Sequence, residues 1–247
     1  MRFPENILQV ICEQLLPTAC VTCQEFQKHS VCDCCLQKLR NGSLFNYQCC
    51  RQCGVALQAP ELAEQRCVTC QNIEPIFNET YCLDRYEGIL QIPLHELKYQ
   101  KRIAFASALA HVWNLLISRD LKSAPADYLL PVPLSIQKLA QRGFNQSWEI
   151  AKRIHCKQGI EKSPYILRRH HYSEHQAGSP LSKRHLAIQG MFYIEAKYIG
   201  SLRGKTVIVF DDVMTSGATL NEIARVLKDN GVSRVINWVL LRAARPI

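Results

Sequence analysis

Residues 207–219 constrain the fold of this chain more than any other segment. Four apolar residues, Val207 to Phe210, predict a buried strand. Asp211 and Asp212 follow, and a loop of small and hydroxyl residues then leads into a helical pattern. Parallel sheets bind ligands at the carboxyl ends of their strands, and a helix N-terminus attracts phosphate. The segment therefore predicts a site for a sugar phosphate.

The same segment resembles the phosphoribosyl-diphosphate (PRPP) binding motif of type I phosphoribosyltransferases, in both its acidic pair and its Thr-Ser-Gly-Ala-Thr loop. The resemblance implies that Asp211 and Asp212 bind the ribose hydroxyls and are the catalytic candidates. It also implies that Mg²⁺ binds together with PRPP. The implied ligand site is Asp211, Asp212, Val213, Met214, Thr215, Ser216, Gly217, Ala218 and Thr219. The alternative is a buried strand that ends in a polar turn and a capped helix.

Cysteine spacing is the second constraint on the fold. The chain has thirteen cysteines, and all but Cys82 and Cys156 lie between Cys12 and Cys70. Two C-x-x-C pairs supply the four thiolates of a closed, structural Zn²⁺ site. We predict two zinc ribbons in sequence, although an interleaved pairing stays open. The predicted ligands are Cys20, Cys23, Cys32 and Cys35 for one site, and Cys50, Cys53, Cys67 and Cys70 for the other.

Composition limits the class of protein. The formal net charge of +9 favours a polyanionic partner, which is either nucleic acid or PRPP itself. No run of 18 apolar residues occurs, so we expect no membrane insertion. The first residues lack a signal-peptide pattern, and we therefore expect a cytoplasmic protein.

Strands alternate with helices after Cys70, which predicts an α/β fold with a parallel sheet. We expect a small zinc-ribbon module at residues 1–78, followed by a type I phosphoribosyltransferase-like domain at residues 79–247. Within that domain we predict a helix from Arg142 to about Cys156 and a strand at residues 164–167.

Several short motifs together resemble the ComF family, which is known for its tie to natural competence. The most specific are the Arg142-Gly-Phe-Asn-Gln146 block and the Gln176-Ala-Gly178 block. Leu97-Lys-Tyr99 and Pro131-Val-Pro-Leu134 also match, as does the order of the cysteine pairs. One position departs from the pattern, because Ala187 stands where relatives usually have Asn.

The ComF resemblance implies further site residues. The loop Pro131, Val132 and Pro133 would receive pyrophosphate, and Lys98 and Arg142 would neutralise it. Gln176 and Arg184 would lie on a lid over the site.

Three functional hypotheses follow. The first is a protein that binds PRPP or ribose-phosphate and acts in natural competence and DNA uptake, with incoming single-stranded DNA in the cytoplasm. Phe144, Trp148 and Tyr172 are the aromatic candidates for stacking on that strand. The second is an active phosphoribosyltransferase that moves ribose-5-phosphate from PRPP to an unknown acceptor. The third is a scaffold whose zinc module binds a competence helicase or a recombination-mediator protein.

Overall fold

The computed structural model describes residues 18–44, 47–117, 125–170 and 188–244. Apart from one ten-residue helix, the cysteine-rich segment contains only short elements, because most of its backbone forms turns around the cysteines. Its elements are β1 (Thr18–Ala19), β2 (Phe26–Gln27), α1 (Asp33–Gly42), a 3₁₀ turn (Ala59–Glu61) and α2 (Val68–Asn72).

The rest of the described chain alternates strands and helices. The strands are β3 (Glu79–Arg85), β4 (Tyr128–Pro131), β5 (Glu161–Lys162), β6 (Leu167–Arg169), β7 (Phe192–Ile194), β8 (Thr206–Met214) and β9 (Arg234–Arg242). The helices are α3 (Gln91–Tyr99), α4 (Ala104–Leu116), α5 (Ile136–Arg142), α6 (Gln146–Ala151), a 3₁₀ turn (Ala196–Tyr198), α7 (Ile199–Leu202) and α8 (Ala218–Asp229). No helix among the described residues is long and apolar enough to cross a membrane.

Five of the strands form one parallel sheet in the order β3-β9-β8-β4-β5. Strand β8 lies in the middle, which explains its apolar run from Val207 to Phe210, because both faces of the strand are covered there. Strands β6 and β7 pair with each other in a separate antiparallel ribbon. All five carboxyl ends of the sheet meet at one edge, and the acidic pair of β8 lies there.

Side chains alternate between the two faces of the sheet, and each face has its own hydrophobic cluster. Ile208 and Phe210 pack under α3, α4 and α6, where the Trp113 ring lies 5.6 Å from the Phe210 ring. Val207 and Val209 pack under α8 and the β6–β7 ribbon. The first cysteine group contributes to the former cluster and the second to the latter. The cysteine-rich segment is thus packed against both faces of the sheet.

Three local predictions were wrong. The predicted helix from Arg142 is two helices, because Arg142 ends α5, Gly143 adopts a left-handed φ of 87°, and α6 begins only at Gln146. The strand predicted at residues 164–167 lies later, at Leu167–Arg169, where it finds its partner β7. Strand β8 continues past Phe210 to Met214, so the acidic pair lies within the strand. The division at residues 78 and 79 stays a prediction, and β3 begins at Glu79.

Candidate functional site

The acidic pair occupies the carboxyl-terminal part of the central strand. Asp211 and Asp212 are both buried, with 9% and 4% of their surfaces exposed. Lys98, at the end of α3, forms an ion pair with the Oδ2 atom of Asp212. The Oδ1 atom of Asp212 accepts hydrogen bonds from Gln146 Nε2 at 3.1 Å and from Ser147 Oγ at 3.3 Å. Helices α3 and α6 thus hold the second carboxylate from one face of the sheet.

The two carboxyl groups have opposite pKa shifts. Burial, reinforced by the neighbouring charge of Asp212, raises the pKa of Asp211 well above its usual range. Burial acts on Asp212 as well, but Lys98 and Gln146 stabilise its charged form and lower its pKa. The free protein therefore has an ionised Asp212 and a protonation-prone Asp211. The Oδ1 atom of Asp211 accepts a hydrogen bond from the backbone N–H of Asp212 at 2.9 Å.

The Arg-Gly-Phe-Asn-Gln block positions two parts of the site at once. The Asn145 side chain caps α6 by accepting from Trp148 N, and its Nδ2 donates to the carbonyl of Val132 at 2.9 Å. Gln146 donates to Asp212 and accepts from the Arg142 guanidinium. Residues 142–146 therefore link the Pro131-Val132-Pro133 loop to the acidic pair. The sequence motif indicated this block without its contacts, and nothing in the sequence singled out Ser147.

The loop after β8 has the geometry of an anion site. Thr215 and Ser216 are exposed, and Gly217 adopts a left-handed φ of 82° before α8 begins at Ala218. Side chains rarely adopt this φ, so the turn favours glycine; a Cβ atom there would also lie 2.6 Å from the flexible end of Met214, at Cε. The twelve-residue helix α8 presents its N-terminus to the loop. Backbone N–H groups and a helix dipole at this position favour an anion.

A basic and aromatic surface lies beside the acidic pair. The Arg142 guanidinium lies 5.8 Å from the ring centroid of Tyr99, the residue that follows Lys98. The Tyr99 ring lies 4.6 Å from the His95 ring and is 63% exposed. Nothing in the sequence singled out Tyr99 as an aromatic candidate for stacking. Of the predicted aromatics, Phe144 packs against the core, Trp148 is half-buried in α6, and Tyr172 lies outside the described residues. The predicted lid residues Gln176 and Arg184 also lie outside the described residues.

Two cysteine tetrads could hold metal ions. Cys20, Cys23, Cys32 and Cys35 form one, and Cys50, Cys53, Cys67 and Cys70 form the other, with all sulfurs of each tetrad within 4.8 Å of one another. Tetrahedral Zn²⁺ with Zn–S bonds of about 2.3 Å separates its sulfurs by about 3.8 Å. The Cys23 and Cys32 sulfurs lie 3.7 Å apart, and those of Cys53 and Cys67 lie 3.6 Å apart. Both tetrads therefore fit zinc, and the sequential arrangement of the pairs is the one observed.

The two tetrads differ in the exposure of their cysteines. The second is buried throughout, whereas Cys23 of the first is exposed. Burial acts to raise the pKa of Cys20 in the first tetrad, but hydrogen bonds from the backbone N–H groups of Cys23 and Cys32 outweigh it. They lower the pKa of Cys20 to about 6, which favours the thiolate form that binds a metal. In the second tetrad, Gly54 has a φ of 69°, and a Cβ atom there would lie 2.5 Å from Cys82 Sγ.

Comparison with known proteins places these features in a family. Residues 150–246 match the Phosphoribosyl transferase domain family. The chain is 30% identical over 217 residues to the DNA utilization protein YhgH of Salmonella typhi, covering 86% of this chain and 90% of that protein. It is 26% identical over 231 residues to competence protein F of Haemophilus influenzae, covering 91% and 96%.

Solved structures give a weaker likeness. A structure of the allosteric regulatory enzyme of purine biosynthesis aligns at 21% identity with a TM-score of 0.36, covering 59% of this chain and 29% of that chain.

The sequence relatives and the domain match confirm the predicted family and fold class. The fold is a parallel α/β sheet of the phosphoribosyltransferase type, preceded by a cysteine-rich segment that could hold zinc. The relatives named for competence and DNA utilization cover most of this chain. The chain belongs to the ComF family.

Proposed function

We propose that this protein binds PRPP or a related ribose-phosphate and acts in natural competence, on incoming single-stranded DNA in the cytoplasm. The observation that supports it most is the placement of Asp211 and Asp212 beside the loop of residues 215–219, at the carboxyl edge of a parallel sheet. The names of the relatives support the competence role.

The charges on the two sides of the acidic pair suit the two ends of PRPP. The 5′-phosphate would bind the loop before α8, where N–H groups and the helix dipole attract it. The pyrophosphate would lie near Lys98, Arg142 and the loop that follows β4, the strand that pairs with β8. Beside Asp211, a Mg²⁺ ion bound together with the ligand would supply positive charge and favour the ionised form of this carboxyl group. Ligand binding would therefore release a proton from Asp211.

A thermal-shift experiment tests ribose-phosphate binding. A ligand at 100 times its dissociation constant stabilises the folded state by about 2.7 kcal/mol. We expect Mg²⁺ with PRPP, and ribose 5-phosphate alone, to raise the Tm in proportion to the logarithm of ligand concentration. Ribose without a phosphate is the control and leaves the Tm unchanged. A Tm that none of these ligands raises would contradict the proposal.

The DNA part of the proposal rests on the surface around Tyr99. An exposed tyrosine with an arginine beside it is suited to stack on a base, and Lys101 and Arg102 are exposed on the same turn. Because Lys98 contacts Asp212, a base on Tyr99 would lie next to the ribose-phosphate site. One nucleotide of a strand could thus occupy both surfaces.

Binding of labelled single-stranded DNA tests this surface. We expect the affinity to fall with salt, as phosphate contacts require, and Tyr99→Ala to weaken binding by about 1–3 kcal/mol. Tyr165→Ala is the matched control, because both tyrosines are 63% exposed and Tyr165 lies before the β6–β7 ribbon. Equal losses from both substitutions, or an affinity that ignores salt, would exclude Tyr99 as the stacking position.

Binding is favoured over phosphoribosyl transfer by the chemistry of the loop. Residues 215–219 provide three hydroxyl groups and no carboxylate that could act as a further base. Asp212 already interacts with Lys98, Gln146 and Ser147. The transferase alternative would share the same ribose-phosphate site and would differ by the release of pyrophosphate.

A further inference from the structure

A buried arginine joins the second cysteine tetrad to the loop after β8. Arg242 is the last residue of β9 and is 8% exposed. Its Nε donates to the carbonyl of Cys53 at 2.9 Å. Its Nη1 lies within hydrogen-bond reach of three carbonyls, those of Met214, Thr215 and Ala243. One guanidinium thus contacts the backbone of a predicted metal ligand and the first residue of the proposed phosphate loop.

This arginine has no carboxylate partner among the described residues, which is unusual for a buried charge. Carbonyl dipoles stabilise it instead. Because the guanidinium is planar and its donors have fixed directions, the carbonyls that accept from it are held in fixed relative positions. A lysine has no such fork and could not contact Cys53 and Thr215 with the same geometry.

We propose that Arg242 is a positioning residue that couples metal binding in the second tetrad to ribose-phosphate binding in the loop. A metal bound by Cys53 fixes the turn that contains its carbonyl. That carbonyl orients the guanidinium, which in turn holds the backbone of Met214 and Thr215 at the entrance to the loop. The inference rests on the proposed function, because it assumes that the loop binds the 5′-phosphate.

The coupling should affect only one half of the site. The proposed pyrophosphate half of the site comprises the loop at Val132 and the Asp212 carboxylate. Asn145 and Gln146, at the start of α6, contact these two parts, and no described contact joins Arg242 to them. Loss of Arg242 should therefore weaken ribose 5-phosphate and leave pyrophosphate almost unaffected. Linkage also requires the reverse effect, in which ribose 5-phosphate strengthens metal retention by the second tetrad.

Calorimetric titrations of the full chain with ribose 5-phosphate and with pyrophosphate test the first effect. We expect Arg242→Met to weaken ribose 5-phosphate by about tenfold, as couplings between sites commonly do, and Arg242→Lys to restore little of it. The change for pyrophosphate should stay below about twofold. Arg234→Met is the matched control, because Arg234 lies at the opposite end of β9 and pairs with Glu79. If the folded Arg242→Met protein binds ribose 5-phosphate as the wild type does, the inference is wrong.

Zinc release from the wild-type chain tests the reverse effect without a variant that could fail to fold. Zinc-loaded protein is mixed with a coloured chelator, with and without saturating ribose 5-phosphate, and release is followed over time. We expect two phases, with the ligand slowing only the phase that belongs to the buried tetrad. Unchanged release of both phases, with ligand shown to be bound, would overturn the coupling and leave the proposed function intact. A wild type that binds no ribose 5-phosphate would instead refute the proposed function.

Discussion

The ion pair between Lys98 and Asp212 offers a sharp test of how the acidic pair is held. Replacing Lys98 with Met keeps the apolar length of the side chain and removes its charge. Asp212, with 6% of its side chain exposed, then keeps only the neutral hydrogen bonds from Gln146 and Ser147. The carboxylate would be buried without a counter-charge.

The expected loss of stability follows from this geometry. Breaking a buried ion pair by removing one partner costs about 3–5 kcal/mol. The Lys98 side chain is 17% exposed and Asp212 keeps two hydrogen bonds, so the lower end applies. We expect the free energy of unfolding to fall by about 3 kcal/mol near neutral pH.

The pH dependence has a definite sign. Burial acts to raise the pKa of Asp212, but the charge of Lys98 and the other contacts outweigh burial and lower this pKa. A lowered folded-state pKa gives stability that is present above the unfolded pKa of about 3.9 and is lost as pH falls through the folded value. Lys98→Met removes that contribution, so the difference from the wild type should be largest near neutral pH and should shrink in acid.

Urea unfolding of Lys98→Met, Asp212→Asn and the double variant, at neutral and acidic pH, measures these quantities. The double-mutant cycle should give a coupling of about 2 kcal/mol at neutral pH. Lys205→Met is the control, because it breaks the more exposed pair with Asp127 and should cost much less. A loss below about 0.5 kcal/mol for Lys98→Met, or a coupling near zero, would refute this account of the acidic pair.

Three further outcomes follow from the same contacts. Gly54→Ala should lower the free energy of unfolding in urea by about 2–4 kcal/mol, because of left-handed backbone strain and the clash with Cys82. The control Gly159→Ala has open space around the new Cβ atom and should cost only about 1–2 kcal/mol. Equal losses from the two substitutions would exclude the clash. Asp211→Asn should stabilise the free protein at neutral pH and not in acid. The pKa of Asp211 is raised in the folded protein, so the wild type loses stability as the pH rises through that pKa, and the variant does not. A lower Tm of the variant at neutral pH would contradict this. Mass spectrometry under native conditions should find two zinc ions per chain, and Cys70→Ser should remove one of them. A mass that shows no bound metal after zinc supplementation would exclude both sites.

The central strand and its helix were predictable because local and tertiary preferences agree there. Residues 207–210 are apolar on both faces, and β8 is covered on both faces. Gly217 permits the turn that starts α8. The cysteine tetrads were equally predictable, because the spacing of paired thiolates is itself a local geometric requirement.

Long-range contacts were not predictable from the sequence. Asp212 meets Ser147 and Gln146 across 65 and 66 residues, and Arg242 meets Cys53 across 189. No local pattern records such pairs, because they depend on the order of strands in the sheet. The pairing of β6 with β7 was missed for the same reason, and the strand predicted at residues 164–167 was placed too early, since each strand has only three residues and is defined by its partner.

A calorimetric titration with Mg²⁺ and PRPP tests the central claim most directly, with wild type and the Asp211→Asn/Asp212→Asn double variant side by side. The account predicts saturable binding by the wild type, with proton release that appears as a dependence of the binding heat on the buffer. It predicts loss of both in the double variant, provided that circular dichroism shows the variant to be folded. Equal binding by the two proteins would contradict the assignment of the ribose-phosphate site.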